Sequence, residues 1–282
     1  MTACRLIVHA DDFGLTPQVN AGIVQAHRQG LVTSTSLMAT GRAFAEAVGL
    51  ARELPSLDLG VHLSLVEETP VLPAGRVASL IADNGRFVAG AGAFLRRLLR
   101  GGIDLRQVRA ELEAQIAMVV DQGLPVSHLD GHQHLHVLPG VAAIVVELAG
   151  RFGIPAVRLP RERLRGDMFK PPVNAVRLAQ MLVLHGFCRG TALRRLRTPD
   201  YFLGFYDGGH LSPPRLRALL SHLPEGKICE LMCHPGLADR SPDYGHWRYD
   251  HAGELAALCD PAIRDWLARR GVTLISYQEL LN

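Results

Sequence analysis

An α/β fold is predicted, a complete or incomplete (β/α) barrel of about seven parallel strands forming a single domain over 1–282. Short apolar runs rich in β-branched residues recur at 5–10, 35–39, 57–63, 126–129, 156–159, 227–233 and 272–277, and such runs read as buried parallel strands. Helix-like segments separate them, and alternating strands and helices imply a parallel sheet with right-handed crossovers. About seven such units favour a barrel over an open sheet, and 282 residues suit one barrel domain.

Between the first two runs, Thr16 is placed to cap a helix, Pro17 suits its first turn, and Gly30 can end it in the left-handed conformation. Leu105, Val108, Leu112, Ile116 and Val119 repeat at three- and four-residue intervals. They form a second amphipathic helix that leads into the strand before His132. A third helix follows Pro139. No repeat, low-complexity tract or Gly/Ser linker divides the chain, and 68–103 and 160–215 read as insertions between core units.

With 48% hydrophobic and 20% charged residues, and no run near the ~18 apolar residues of a spanning helix, a soluble globular protein is expected. The N-terminal MTACRLIVHADDFG enters a strand-like segment at once. That leaves no room for a secretory signal, so a cytoplasmic location is expected. Five scattered cysteines, none in a C-x-x-C pair, indicate packed thiols rather than a disulfide framework or a cysteine metal site. A net charge of +3 with no nucleic-acid motif gives no reason to expect nucleic acid as a partner.

Parallel α/β folds place their sites at the carboxyl ends of the strands. Here those ends carry Asp11 and Asp12, His62, the group Asp130, His132, His134 and His136, then Arg158, and late in the chain His234. Taken singly, each has an ordinary explanation. An Asp-Asp-Phe-Gly turn needs no catalyst, a histidine inside LGVHLSL can be a packed core residue, and Cys-His-Pro-Gly can be a turn leaving a strand. HLDGHQHLH is different, because four histidines (His128, His132, His134 and His136) and Asp130 fall within nine residues. That density points to metal or proton chemistry.

One carboxylate with two imidazoles and open positions is the composition of a catalytic divalent-ion site, zinc being favoured by the nitrogen donors and magnesium the alternative. Such an ion lowers the pKa of bound water from about 15.7 toward about 7, so a nearby carboxylate suffices as base. Asp11 is placed to be that base while Asp12 binds the ion, and His234 is the candidate acid for a departing amine. Arg158 would fix Asp11, bind substrate or form a structural ion pair.

Taken together, HADDFGL, LGVHLSL, HLDGHQHLH and ELMCHPG resemble the YdjC-like carbohydrate deacetylases, which include chitooligosaccharide deacetylases. The resemblance spans the chain and implies an irregular (β/α) barrel that removes N-acetyl groups from sugars with a divalent metal. Carried over, it makes Asp12, His62 and His132 the metal ligands. By resemblance to the broader polysaccharide deacetylases, Asp11 is the base and His234 the acid. The stretch VEETPVLP is most similar to the hopanoid-biosynthesis-associated members, implying an N-acetylglucosaminyl hopanoid as substrate, with a chitooligosaccharide left open. A homodimer is implied by the resemblance alone.

Two basic stretches bear on the substrate. Residues 161–198 hold nine Arg or Lys against two acids, and FLRRLLRGG at 94–102 sets Arg96, Arg97 and Arg100 beside apolar residues. This pattern suits peripheral contact with an anionic membrane, such as the inner membrane, although solvated helix faces or a dimer contact explain it as well. Two rival functions stay open: another metal hydrolase, cleaving phosphoesters or cyclic amides, and a catalytically silent sugar-binding barrel.

Overall fold

The computed structural model describes residues 4–169, 174–238 and 244–281. Along the chain run β1 (Arg5–Phe13), α1 (Pro17–Gln29), β2 (Ser34–Leu37), α2 (Phe44–Arg52), β3 (Asp58–Leu63), α3 (Gly90–Leu99), α4 (Leu105–Val120) and β4 (His128–Gly131). There follow α5 (Val141–Phe152), β5 (Ala156–Val157), α6 (Ala175–Arg189), β6 (Tyr201–Leu203), α7 (Pro213–Leu220), β7 (Ile228–Cys233), α8 (His251–Leu258), α9 (Pro261–Arg269) and β8 (Thr273–Ile275).

All described strand pairings are parallel, in the order β5-β4-β3-β2-β1-β7-β6. β8 pairs with Arg5–Ile7 of β1, while β2 takes over from His9 onward. The sheet thus curls into an irregular barrel whose outer strands, β5 and β6, are linked by the isolated bridges Ala156–Arg197 and Glu162–Phe202. The seven expected strands are present with shifted ends. Reading 160–215 as an insertion is corrected, because it contains α6 and the eighth strand, β6. Three residues, Tyr-Phe-Leu, are too short a run to stand out by periodicity.

The first helix forms as its ends predict, with Thr16 Oγ accepting from the Val19 N–H at 3.2 Å and Pro17 in the first turn. Gly30 is not left-handed, however, since its φ is −116°. A Cβ there would lie 2.7 Å from the carbonyl oxygens of Ala26 and Leu258, so close packing against the end of α8 is what requires glycine. No helix among the described residues is long and apolar enough to cross a membrane.

Strand side chains alternate between faces, and that alternation builds the interior. Leu6, Val8 and Ala10 of β1, Val61 of β3, Leu129 of β4 and Leu231 of β7 belong to the main apolar core between sheet and helices. The other face begins with an apolar floor of Ile7, Ala156, Ile275, Tyr277 and Leu280. Above Ile7 on the same face of β1 come His9 and Asp11, both buried. Gly60 leaves room for the imidazole of His128, whose Nε2 would lie 2.4 Å from a Cβ.

Candidate metal centre and active site

The Asp11–Asp12 pair reaches the cavity through a bulge. β1 pairs Ala10 with Thr35 and next Phe13 with Leu37, so it holds one residue more than its partner between those points. Asp12 sits there at φ +70°. Two successive strand residues would otherwise face opposite sides, whereas here both carboxylates line one cavity of about 700 Å³. The other described non-glycine residues with positive φ are Glu67, Gln133, His134 and Arg248. All lie in or beside this cavity, and each left-handed residue costs on the order of 1–2 kcal/mol.

Asp12, His62 and His132 converge. Their candidate ligand atoms all lie within 4.8 Å of one another. Asp12 Oδ1 is 3.0 Å from His132 Nδ1 and 3.2 Å from His62 Nε2, yet that buried Nε2 makes no hydrogen bond. A bare imidazole nitrogen and a carboxylate aimed at one point fit a divalent cation. The far nitrogen of His62 is held by Asp130 Oδ1 at 2.9 Å and by Ser36 Oγ at 3.1 Å, the support that orients metal-binding imidazoles. Burial disfavours charge on both rings, but nearby carboxylates dominate. Asp12 and Glu67 lift His132 to about 9, and Asp130 and Asp12 hold His62 well above the usual histidine range.

Arg158 organises the carboxylates beneath. It is fully buried and grips Asp11 with two bonds of 2.7 Å. It also donates to Glu230 Oε1 at 2.7 Å and pairs with Asp130 Oδ2 at 2.9 Å. Of the roles expected for Arg158, the contacts seen are those of holding Asp11 and of a buried ion pair with Asp130 and Glu230. Burial opposes ionisation of Asp11, yet Arg158 and His9 hold its carboxyl well below the usual range. His9 Nδ1 lies 2.9 Å from Asp11 Oδ1, and its Nε2 meets His128 Nε2 at 2.8 Å. His9, Asp11 and Asp130 form a second group of metal-like spacing, but the Arg158 guanidinium already supplies its cation.

His234 leaves β7 with its N–H donating to Glu254 Oε2 at 2.6 Å and its carbonyl accepting from His251. Its buried Nδ1 has no partner. Burial, reinforced by the charges of His251 and Arg158, pulls its pKa to about 4, so the ring is neutral at pH 7. The remaining histidines of HLDGHQHLH scatter. His134 lines the cavity against Phe205, His136 bonds the Arg158 carbonyl, and His128 stacks on Tyr277. Only His132 of the four enters the ligand group, because the left-handed pair Gln133–His134 redirects the chain after it.

Sequence reasoning missed His9, Glu67, Glu230, Trp247 and Glu254. A signal existed for two of them: His9 precedes Asp11, and Glu230 precedes His234, at even spacing on one strand face. Glu67, Trp247 and Glu254 come from loops and a helix, where no period marks them.

Comparison with known proteins gives consistent matches. A family profile described as YdjC-like protein matches residues 5–269. A carbohydrate deacetylase of Homo sapiens is 36% identical over 294 residues, covering 98% of this chain and 91% of that protein. A chitooligosaccharide deacetylase of Serratia marcescens is 31% identical, covering 98% of each chain. Among solved structures, a protein of Enterococcus faecalis V583 named for cellobiose-phosphate cleavage superposes with a TM-score of 0.75 at 28% identity, over 99% of both chains.

Proposed function

The chain belongs to the YdjC-like protein family, and from this we propose that it is a metal-dependent carbohydrate deacetylase acting on an N-acetylglucosamine-containing sugar or glycolipid. The observation that carries the reading is the convergence of Asp12, His62 and His132 beside Asp11 and His234 in one cavity. Asp12, His62 and His132 would hold one divalent ion, zinc by donor chemistry. When bound, such an ion acidifies water and polarises a carbonyl oxygen.

Asp11, kept ionised by Arg158, accepts the proton of the attacking water. His234, neutral at rest, hydrogen-bonds the leaving nitrogen and would relay to it the proton that Asp11 took from water, its own basicity raised as negative charge develops on the substrate. A phosphoesterase with two metals is disfavoured because the second group of donors surrounds Arg158. The test is acetate release, with mass spectrometry of products, from chitooligosaccharides and N-acetylglucosaminyl lipids given to zinc-loaded protein. Hydrolysis of phosphoesters but none of these amides would refute the reading.

The glycolipid form is supported by the far wall of the cavity, where α3 contributes Leu95 and α6 contributes Val176, Ala179, Val183 and Phe187. Such a wall suits an apolar aglycone, an N-acetylglucosaminyl hopanoid among them, better than a second sugar. On the same rim Leu99 is 78% exposed beside the exposed Arg96 and Arg100, an arrangement suited to an anionic membrane surface. In the other basic stretch, Arg165 pairs with Glu162 and Asp207 and Arg177 bonds the Phe205 carbonyl, so these two are engaged locally; Lys170 lies outside the described residues. Anionic vesicles should therefore retain the protein at low salt, and Arg96→Ser with Arg100→Ser should weaken retention severalfold. Equal retention by neutral vesicles would count against charge-led docking.

Metal affinity should depend steeply on pH. His132 keeps its proton up to about 9 in the metal-free chain and must release it to coordinate. Zinc affinity measured calorimetrically should then rise with pH up to about 9, by about tenfold per pH unit for each ring that releases a proton. In the metal-free chain the same raised pKa contributes stability below the unfolded value of about 6.5, lost as pH climbs through about 9. A pH-independent affinity would rule out His132 as a ligand.

A further inference from the structure

Glu67 lies between β3 and α3, far in sequence from every residue its carboxylate touches. Its Oε2 accepts from Trp247 Nε1 at 2.9 Å and lies 3.4 Å from His132 Nε2, while Oε1 is 3.2 Å from His246 Nε2. Its backbone is held in the left-handed region, φ +66°, by its N–H donating to Val88 O at 3.1 Å and its carbonyl accepting from Arg86 Nε at 2.8 Å. A non-glycine residue kept there at an energetic cost marks a position that the surroundings enforce.

The indole so held lies over the centre. Its ring centroid is 5.2 Å from that of His132, and 5.7 Å from that of Tyr249, which in turn lies 4.7 Å from His234. Trp247 and Tyr249 both line the cavity. A half-exposed indole beside the candidate ligands offers what a pyranose requires: a flat apolar face for its C–H surface, with polar groups at the rim for its hydroxyls.

We infer that Trp247 is a stacking platform for the sugar ring, and that Glu67 is a positioning residue coupling this platform to the metal ligand His132. The inference rests on the deacetylase reading for the identity of the sugar. By accepting from Nε2, Glu67 holds a proton on that nitrogen, so that Nδ1, 3.0 Å from Asp12 Oδ1, is the one that would give up its proton to an ion. By accepting from the indole N–H, it sets the height of the platform above the same point. Sugar binding and metal binding are thereby joined through one carboxylate.

The experiment compares the full chain with Glu67→Ala, Glu67→Gln and Trp247→Ala, reading zinc affinity by calorimetry and KM and kcat on chitooligosaccharides. Trp247 emission during cobalt titration, in a Trp266→Phe background, provides a readout independent of turnover. Glu67→Ala should weaken metal binding about 10- to 100-fold, raise KM and change Trp247 emission. Trp247→Ala should raise KM with metal affinity within about twofold of the wild type. Glu67→Gln keeps the size but offers one acceptor oxygen in place of two, and should fall between wild type and Glu67→Ala; it carries the test if the alanine variant does not fold. Glutamine and alanine variants that match the wild type in metal affinity and KM would overturn the coupling, and an unchanged KM in Trp247→Ala would overturn the platform. A wild type that binds zinc but releases no acetate refutes the deacetylase reading instead, and the metal-affinity and emission arms still decide the role of Glu67.

Discussion

An Asp11→Asn protein is expected to lose about 10³-fold in kcat, within the range a positioned base supplies, while binding zinc within a few-fold of the wild type. Asparagine keeps the shape and can still accept one hydrogen bond from Arg158, which holds Asp11 through two bonds of 2.7 Å. It cannot take a proton from water. Asp12, His62 and His132 remain in place, so binding and turnover should separate. Stopped-flow acetate release alongside calorimetric zinc titration provides the measurement. Loss of both together would mean that Asp11 holds the ion itself, and retention of turnover would remove it from the chemistry.

Replacing Arg158 with Met should have the largest effect on stability. The wild-type guanidinium faces Asp11, Asp130 and Glu230, all buried, and no solvent can substitute for it. Removing one partner of a buried ionic cluster costs roughly 3–5 kcal/mol, which for a chain of this size corresponds to a fall of about 10 °C in melting temperature. Asp11 and Asp130 are held below the usual carboxylate range in the native protein. Their contribution is therefore present above about pH 4 and lost as pH falls. In Arg158→Met those carboxyls lose their guanidinium counter-ion, so the deficit should be greatest at neutral pH and shrink on acidification. Urea unfolding at pH 7 and pH 4 tests this, and equal deficits at the two pH values would contradict it.

Much of this protein was legible in the chain itself. Apolar runs alternating with amphipathic segments specify parallel β/α units, because burying a strand on both faces demands apolar residues whatever the partner. Thr16 and Pro17 fix the start of α1 through local hydrogen bonding. Asp12, His62 and His132 were identifiable as strand-end polar residues, since the architecture collects such ends at one mouth.

Other features depended on contacts that no local pattern encodes. Gly30 answers the approach of Leu258, not a left-handed turn, and β6 exists because Tyr201–Leu203 lies against β7. The bulge at Asp12 and the left-handed Gln133–His134 pair decide which of several plausible side chains converge. Glu67 and Trp247 meet across 180 residues of chain. The periodic features, the class of fold and the strand ends that carry chemistry are written in local pattern, because these follow from burial and backbone geometry within a few residues. Which partners Arg158 takes, which histidine of four stands with Asp12 and His62, and that Glu67 reaches His132 depend on the tertiary structure, because partner choice among buried charges is set by distances between residues far apart in the chain.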